Sequence, residues 1–420
     1  MSFKDCDFSD STFTGKEFMK FSGNNAAASI LFIAYIDSRG LICYNKSTNY
    51  VSMGKEFIMA SFGVNVFDFG AKGDGVTDDT AAIQAAINYT AERGGGRILF
   101  PYTKGGYRLA SPGIEEYKGR KVRAQLVIPP ENNANIFLEG EMPCKMLYSY
   151  QVRPLSAVKY NFVPTTFEDI LNNNTRIFSD WEAPEIHDPN ERPWTMIAAP
   201  EGDWAKGRFS ISQFSMANLE FRVRIDLDKM YPTQGAANLQ NVSRAWISDC
   251  QFCLNKNVGD TILEKELQEN PCHTVGLMMS GDQNDNNVLR NVAVQGFKYG
   301  FVLGEHVIAD YLYVHNCENA LAFHDCSHLS VINHIVAQHN KRIITTAPDG
   351  LFGLPKGPCN VIVGSLNFEC GCGLKPAISQ LEYAVYDPDK RLHGTLTWHK
   401  PWGEQEFPTV CGEKFKISKF

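Results

Sequence analysis

The sequence predicts an all-β solenoid, a parallel β-helix whose open end is preceded by one amphipathic α-helix. Two observations predict it. Short apolar, β-prone runs recur at offsets of 20 and 22 residues between Val294 and Thr345. A period near 21 with strands that short is the length of one solenoid rung, and each rung must stack on its neighbours to bury its apolar face. The second observation is the segment Val64 to Arg108, which reads in order as strand, glycine turn, helix and strand.

That segment carries the densest signal in the chain. Val64-Asn65-Val66-Phe67-Asp68-Phe69 is β-prone, and Gly70-Ala71-Lys72-Gly73-Asp74-Gly75 is a turn in which glycine permits positive φ. Asp78 and Asp79 stand at a helix start, where free backbone N–H groups and the positive dipole end favour carboxylates. Ile83, Ala86, Ile87 and Thr90 follow at i, i+3, i+4 and i+7, one apolar stripe. Gly94-Gly95-Gly96 ends the helix, and Arg97-Ile98-Leu99-Phe100-Pro101 is a strand stopped by proline.

The pattern D-F-G-A-x-G-D-G-x-x-D-D-T-x-A-I-Q-x-A-I, followed by G-G-G-x-I-x-F-P and a tyrosine, is present as Asp68 to Ile87, Gly94 to Pro101 and Tyr107. It resembles the lead-in segment of the pectate-lyase-like superfamily of right-handed parallel β-helices. The stretch Tyr102 to Gly106 is longer than the short turn usual there. The resemblance implies a right-handed solenoid whose open N-terminal end is capped by the helix. It names no reaction, because that family holds polysaccharide lyases, glycoside hydrolases, epimerases and phage tailspikes.

Residues 1–60 precede the motif and are expected to form a small attachment or oligomerisation element, or an extra edge strand of the same domain. Within them Ile30 to Tyr35 and Leu41 to Tyr44 are two strands around a turn at Asp37-Ser38-Arg39-Gly40. Residues 61–420 are expected to be the β-helix. Gln125 to Pro130 and Ala134 to Gly140 fit its early rungs. Residues 151–208, rich in asparagine and proline, break the pattern and are expected to leave one rung as a loop excursion, of the kind that builds binding clefts. Its Trp181, Trp194 and Trp204 are candidates to stack on sugar rings, or to pack the excursion onto the solenoid.

Rungs are aligned beyond residue 210. Asn218-Leu219-Glu220-Phe221 matches Asp249-Cys250-Gln251-Phe252 and Asn291-Val292-Ala293-Val294. Val294 to Leu303 matches Val314 to Phe323, and that run is set against Val336 to Thr345. Cys359 to Gly371 is another rung. From Ala377 the chain is expected to become an irregular C-terminal cap, in which Leu392 to Trp402 is a closing hairpin or the cap itself.

The composition is that of a globular protein, 44% hydrophobic and 21% charged. A net charge of −7 and a pI near 5.8 argue against a nucleic-acid partner, and favour an anionic substrate only where basic residues cluster locally. The longest apolar run, Ala26 to Ile36, is too short to span a bilayer. The opening MSFKDCDFSDSTF lacks the basic start and apolar core of an export signal. The expectation is a protein acting inside the cell, or one reaching the exterior or a virion by phage assembly or after trimming. Twelve cysteines without such a signal are expected to be reduced and buried; Cys250-x-x-Cys253 and Cys370-x-Cys372 lack a second pair at zinc-ligand spacing.

Extending the rung alignment gives one acidic column. Leu303-Gly304-Glu305 matches Phe323-His324-Asp325, and Ser280-Gly281-Asp282 fits one rung earlier. Asp282, Glu305 and Asp325 would then stack about 4.8 Å apart. Like charges that close push one pKa up, and a raised and a normal carboxyl are what glycosidic hydrolysis needs. Asp285, His306 and His324 lie near enough in sequence to join them. Asp and Asn also serve solenoid turns by satisfying backbone groups locally. His306 and Arg342 join the tryptophans as candidate sugar-binding residues. The N-T-D, D-D, G-H-G and R-I-K set of polygalacturonase-type relatives is absent, so none of its catalytic roles is carried over. Asp282 and Asp285 with Arg290 or Arg342 could imitate a calcium-dependent lyase.

The expectation is an enzyme cleaving a polysaccharide or oligosaccharide by carboxylate acid/base hydrolysis. It needs no cofactor, or calcium if it is a lyase, and has no nucleic-acid or membrane partner. The alternatives are a homotrimeric tailspike depolymerase and a non-catalytic glycan-binding solenoid.

Overall fold

A computed structural model describes residues 18–22, 31–37, 40–45, 48–52, 63–142, 144, 174–202, 213–223, 234–254, 274–279, 286–315, 317–324, 326–338, 340–354, 357–368, 381–399 and 408–419. The chain divides into two compact units, Met1–Asn65 and Val66–Phe420. In the first, four antiparallel strands follow one another, Phe18–Ser22, Leu31–Asp37, Gly40–Asn45 and Thr48–Ser52. Asp37 stands opposite Gly40, in the hairpin that the sequence predicts there.

The second unit is a parallel β-helix with three faces. The first face runs through Arg120–Val127, Trp194–Ala198, Gln234–Asn238, Val275–Met279, Tyr299–Leu303, Asn319–Phe323, Arg342–Thr346, Tyr383–Tyr386 and Thr409–Val410, each parallel to the next. The second face runs from Gly95–Phe100 through Asn135–Gly140 and Phe214–Ala217 to Phe415–Lys419. The third begins with Gly106–Leu109, Arg176–Ser179 and Glu220–Val223. It joins the second inside long strands such as Ala245–Leu254 and Asn287–Gln295. The bend between those faces falls at Asn218, Asp249 and Asn291, which take φ of 58°, 50° and 53°. Asn and Asp tolerate that left-handed region better than other side chains, and Asn291 Nδ2 donates to Asp249 Oδ1 at 2.7 Å.

Alternation along the second face builds the core. Ile98, Leu138, Met216, Ile247, Leu289, Ala309, Ile332, Val363 and Leu396 pair in register from rung to rung, and all nine are fully buried. On the third face Phe221 stacks on Phe252 at 5.6 Å, continued by Val294 and Val314.

The helix α1 (Thr80–Glu92) precedes the first rung of the second face and buries Ile83, Ala86, Ile87 and Thr90, the predicted stripe. The lead-in carboxylates hold backbone. Asp78 accepts from the amides of Thr80 and Ala110 and from Ser111 Oγ. Asp79, at the cap position, turns instead to the amides of Lys72 and Gly73 at 2.7 and 3.0 Å, folding the glycine turn back on the helix start. Gly95 is required: a Cβ there would lie 2.4 Å from the Asn135 carbonyl oxygen of the next rung. Tyr107 is buried edge-on to Phe100, its hydroxyl donating to the Pro101 carbonyl at 2.7 Å.

Three expectations change. Within 151–208, Arg176–Ser179 and Trp194–Ala198 are regular rung strands, four and five residues long and too short for the period to show. Leu392–His399 pairs parallel with Cys359–Phe368 and Phe415–Lys419, so rung follows rung where a hairpin or a cap was expected. The third is a register. Val314 pairs with Ala337, not Val336, and Phe323 with Thr346, not Thr345. The true offset is 23, because Val336 and Ala337 are both apolar and either satisfies the pattern.

Candidate active site

The corrected register assembles a site on the first face. Tyr299, Asn319, Arg342 and Tyr383 stand opposite one another on four successive rungs. The residues just before them are Lys298, Glu318, Lys341 and Glu382, a column of alternating charge. With the offset of 22, Asn340 takes the place of Lys341 and the column cannot be seen. Rung spacing of about 4.8 Å brings these groups into contact range. Lys341 Nζ is 3.4 Å from Glu382 Oε1, Arg342 Nη2 is 3.5 Å from Glu382 Oε2, and Arg342 Nη1 is 3.9 Å from Glu318 Oε1. Arg342 also lies over the Tyr386 ring at 4.7 Å, and that ring is 4.7 Å from Tyr383.

Glu318 is the unusual member. Burial pushes its carboxyl above the ordinary range, against the pull of Lys298, Lys341 and Arg342, and Glu382 adds to the rise. Among the described residues its Oε2 accepts no hydrogen bond. Tyr299 meets the buried Phe352 edge-on at 5.7 Å, and Phe352 donates its amide to the Pro189 carbonyl, so segments 188–190 and 350–354 pack together beside this face. A protonatable carboxyl, three cations and two tyrosines can together bind an acidic or polyhydroxylated ligand and move a proton.

Of the residues singled out from sequence, Arg342 belongs to this cluster. Glu305, His306 and His324 lie at the opposite end of the same strands. Glu305 is 2% exposed and stands 3.7 Å from His306 Nδ1; His306 has φ 51°, and His324 is buried. The strand pairing sets Met279, not Ser280, opposite Leu303. Asp282, Asp285, Asp325 and Trp204 lie outside the described residues. Trp194 is buried and meets Trp181 edge-on at 5.1 Å, with Ala183 and Ile186 against them. Among the described residues Trp246 is the exposed tryptophan, which its position in a strand predicts once the facing of that strand is known.

A second polar cluster lies on the third face. Glu220 and Arg222 are buried and ion-paired, and Asn174 donates to the other carboxylate oxygen. Burial opposes the Arg222 charge, but Glu220 beside it holds its pKa above the usual value. Cys253 is 4.0 Å from Glu220, and burial pushes the Cys250 and Cys253 thiols up to about 12. Among the described residues no three His, Cys, Asp or Glu side chains gather as a metal site, and no helix is long and apolar enough to cross a membrane.

Residues 63–122 match the family model described as Rhamnogalacturonase A/epimerase, pectate lyase-like. Alginate lyase 7 of Azotobacter vinelandii is 59% identical over 46 residues, 11% of this chain and 5% of the lyase. Mannuronan C5-epimerase AlgE4 of the same organism is 53% identical over 49 residues, 12% of this chain and 8% of the epimerase. The chain thus spans less than a tenth of the length of these curated relatives. Among solved structures, the tailspike protein of E. coli bacteriophage HK620 in complex with pentasaccharide is similar at TM-score 0.40 and 12% identity, over 92% of this chain and 70% of that one. The A-module of Azotobacter vinelandii mannuronan C-5 epimerase AlgE6 is similar at TM-score 0.29 and 14% identity, over 84% and 98%. The chain is a parallel β-helix protein whose residues 63–122 match the pectate-lyase-like family model.

Proposed function

We propose that this protein is an enzyme acting on a polysaccharide, that its sugar units carry carboxylates, and that the first step is proton abstraction beside such a carboxylate. One observation carries the reading: Lys298, Lys341 and Arg342 are grouped around Glu318 on the first face of an otherwise acidic chain. Removing a proton α to a carboxylate needs that charge neutralised, which a guanidinium and an ammonium do in fixed geometry. Elimination and epimerisation share this step and diverge after it, the first expelling the leaving group and the second returning a proton to the other side of the carbon. The lead-in segments of an alginate lyase and of mannuronan epimerases support the same chemistry. In this reading Arg342 and Lys341 hold the substrate carboxylate, Glu318 in its carboxylate form accepts the abstracted proton and, in epimerisation, a protonated group on the other side of the ring returns one, and Tyr383 and Tyr386 face the sugar.

Hydrolysis is the second reading, favoured by the raised carboxyl of Glu318 acting as acid with Glu382 as the second carboxyl. The column expected at Asp282, Glu305 and Asp325, with Asp285 and His324 beside it, would serve the same reaction, although the Leu303–Met279 pairing shifts by one residue the register that puts Asp282 in it. The test is a polysaccharide-panel digest with three readouts: reducing ends, ultraviolet absorbance of an unsaturated product, and proton NMR for inversion at C5. It is run on wild type, Arg342→Ala, Glu318→Gln and Glu305→Gln. Absorbance or inversion lost in Arg342→Ala supports the first reading. Reducing ends without absorbance, lost in Glu318→Gln or Glu305→Gln, replace it with hydrolysis. Activity of either kind unchanged in Arg342→Ala and Glu318→Gln removes the site.

A further inference from the structure

The outer side of the second face carries an apolar stripe that a solitary solenoid has no reason to expose. Trp246, Val288, Ile308, Val331 and Ile362 pair in register on five successive rungs, one residue before the buried column. Trp246 is 55% exposed, Ile308 47% and Ile362 37%, with Val288 and Val331 half-buried. Five rungs carry the stripe about 19 Å along the solenoid. A contiguous exposed apolar surface of this kind marks a contact.

The neighbouring column says what makes the contact. Two residues further along the same strands stand Ser248, Arg290, Asp310, Asn333 and Gly364. Arg290 and Asp310 are exposed, lie on adjacent rungs, and Arg290 forms no ion pair among the described residues. Asp310 Oδ1 accepts from Asn333 Nδ2 at 2.8 Å, which leaves its second oxygen for another donor. A two-fold axis parallel to the strands, passing between the rungs of Val288 and Ile308, keeps each column and reverses the order of rungs. It sets Arg290 against the partner's Asp310 twice, Ser248 against the partner's Asn333, Trp246 against the partner's Val331, and Val288 against the partner's Ile308. An isologous interface must be self-complementary in this way. A parallel arrangement about the solenoid axis instead keeps every rung at one height and brings Arg290 level with the partner's Arg290.

We infer that the second face is the interface of a two-fold dimer in which the solenoids run antiparallel, sealed by Trp246, Val288, Ile308 and Val331 of this stripe and by two reciprocal Arg290–Asp310 pairs. The face is separate from the charged cluster of the first face and does not rest on the function proposed for it.

The experiment is sedimentation of the full chain, wild type, Arg290→Asp, Asp310→Arg and an equimolar mixture of the two variants. Wild type is expected at twice the chain mass. Each variant alone juxtaposes like charges and should dissociate at least tenfold more readily, while the mixture, in which every cross-pair is again opposite in sign, should return to the dimer. All these positions are exposed, so circular dichroism should show both variants folded; Trp246→Ala gives a second, uncharged weakening of the same contact. A wild-type monomer, a trimer, a dimer indifferent to all three substitutions, or a mixture that stays monomeric would each overturn the inference.

Discussion

The Glu220–Arg222 pair offers the sharpest test of how the third face is held. Glu220 has no solvent exposure and the Arg222 side chain 7%. The two groups are in ion-pair contact, and Asn174 satisfies the remaining carboxylate oxygen. Removing one partner takes away the opposite charge with which the other is paired in the protein interior, where water is nearly excluded. Glu220→Ala should therefore cost about 3–5 kcal/mol, far more than the truncation of an exposed glutamate. The interior penalty is a property of the unpaired ion, so Glu220→Leu combined with Arg222→Met should cost much less, within about 1 kcal/mol of wild type. The assay is urea unfolding monitored by far-ultraviolet circular dichroism, with the midpoint read for wild type, single and double variants. A single variant costing under about 1 kcal/mol, or a double variant as damaged as the single, would refute the reasoning.

Further outcomes attach to individual positions. Burial opposes ionisation of Asp78, but hydrogen bonds from Ser111, Thr80 and Ala110 overcome it and hold the carboxyl at about 2, below the ordinary aspartate range. The depressed value means that stability is present above about pH 4 and is lost as pH falls towards 2. The shift corresponds to about 2.4 kcal/mol, discounted by solvent screening of this exposed side chain to about 1 kcal/mol, and acid unfolding of Asp78→Asn should lack that component. Gly95→Ala meets the Asn135 carbonyl and should reduce the folded yield, whereas Gly94→Ala, at φ 85° with open space around it, should cost only about 1–2 kcal/mol of backbone strain in a melting experiment. Leu396→Ala removes a fully buried side chain and should cost about 2–5 kcal/mol, while its exposed neighbour Thr395→Ala should stay within about 0.5 kcal/mol by the same measurement. If Glu318 acts as the acid, activity should persist above the pH at which a free carboxyl ionises and fall as pH passes its raised value; Glu318→Gln should abolish that limb of the pH profile.

Much of the fold is legible along the chain because its causes are local. The glycines at 70, 73, 75 and 94–96 mark places where backbone must turn or approach closely, and the stripe from Ile83 to Thr90 needs only the helical period. Asn218, Asp249 and Asn291 fall at one position of the rung alignment, and the structure turns the corner between two faces there. The strands Glu220–Val223, Ala245–Leu254 and Asn287–Gln295 align in their true register from sequence because Phe221, Phe252 and Val294 anchor it.

Register elsewhere is decided only in three dimensions. In the run Ile335-Val336-Ala337 every residue is apolar, so local pattern accepts two alignments that differ by one residue, and contact with Tyr313 and Val314 on the next rung chooses between them. That single step determines which charges meet: it puts Lys341 beside Glu318 and Arg342 beside Asn319, and so makes a site. The facing of Trp246 and Ile308 is likewise invisible in a sequence where both sides of the strand are apolar. Sequence by itself determined that a solenoid forms and where it opens. The tertiary structure decided which side chains stand one rung apart, because charge coupling and burial act across about 4.8 Å of space between residues far apart in the chain.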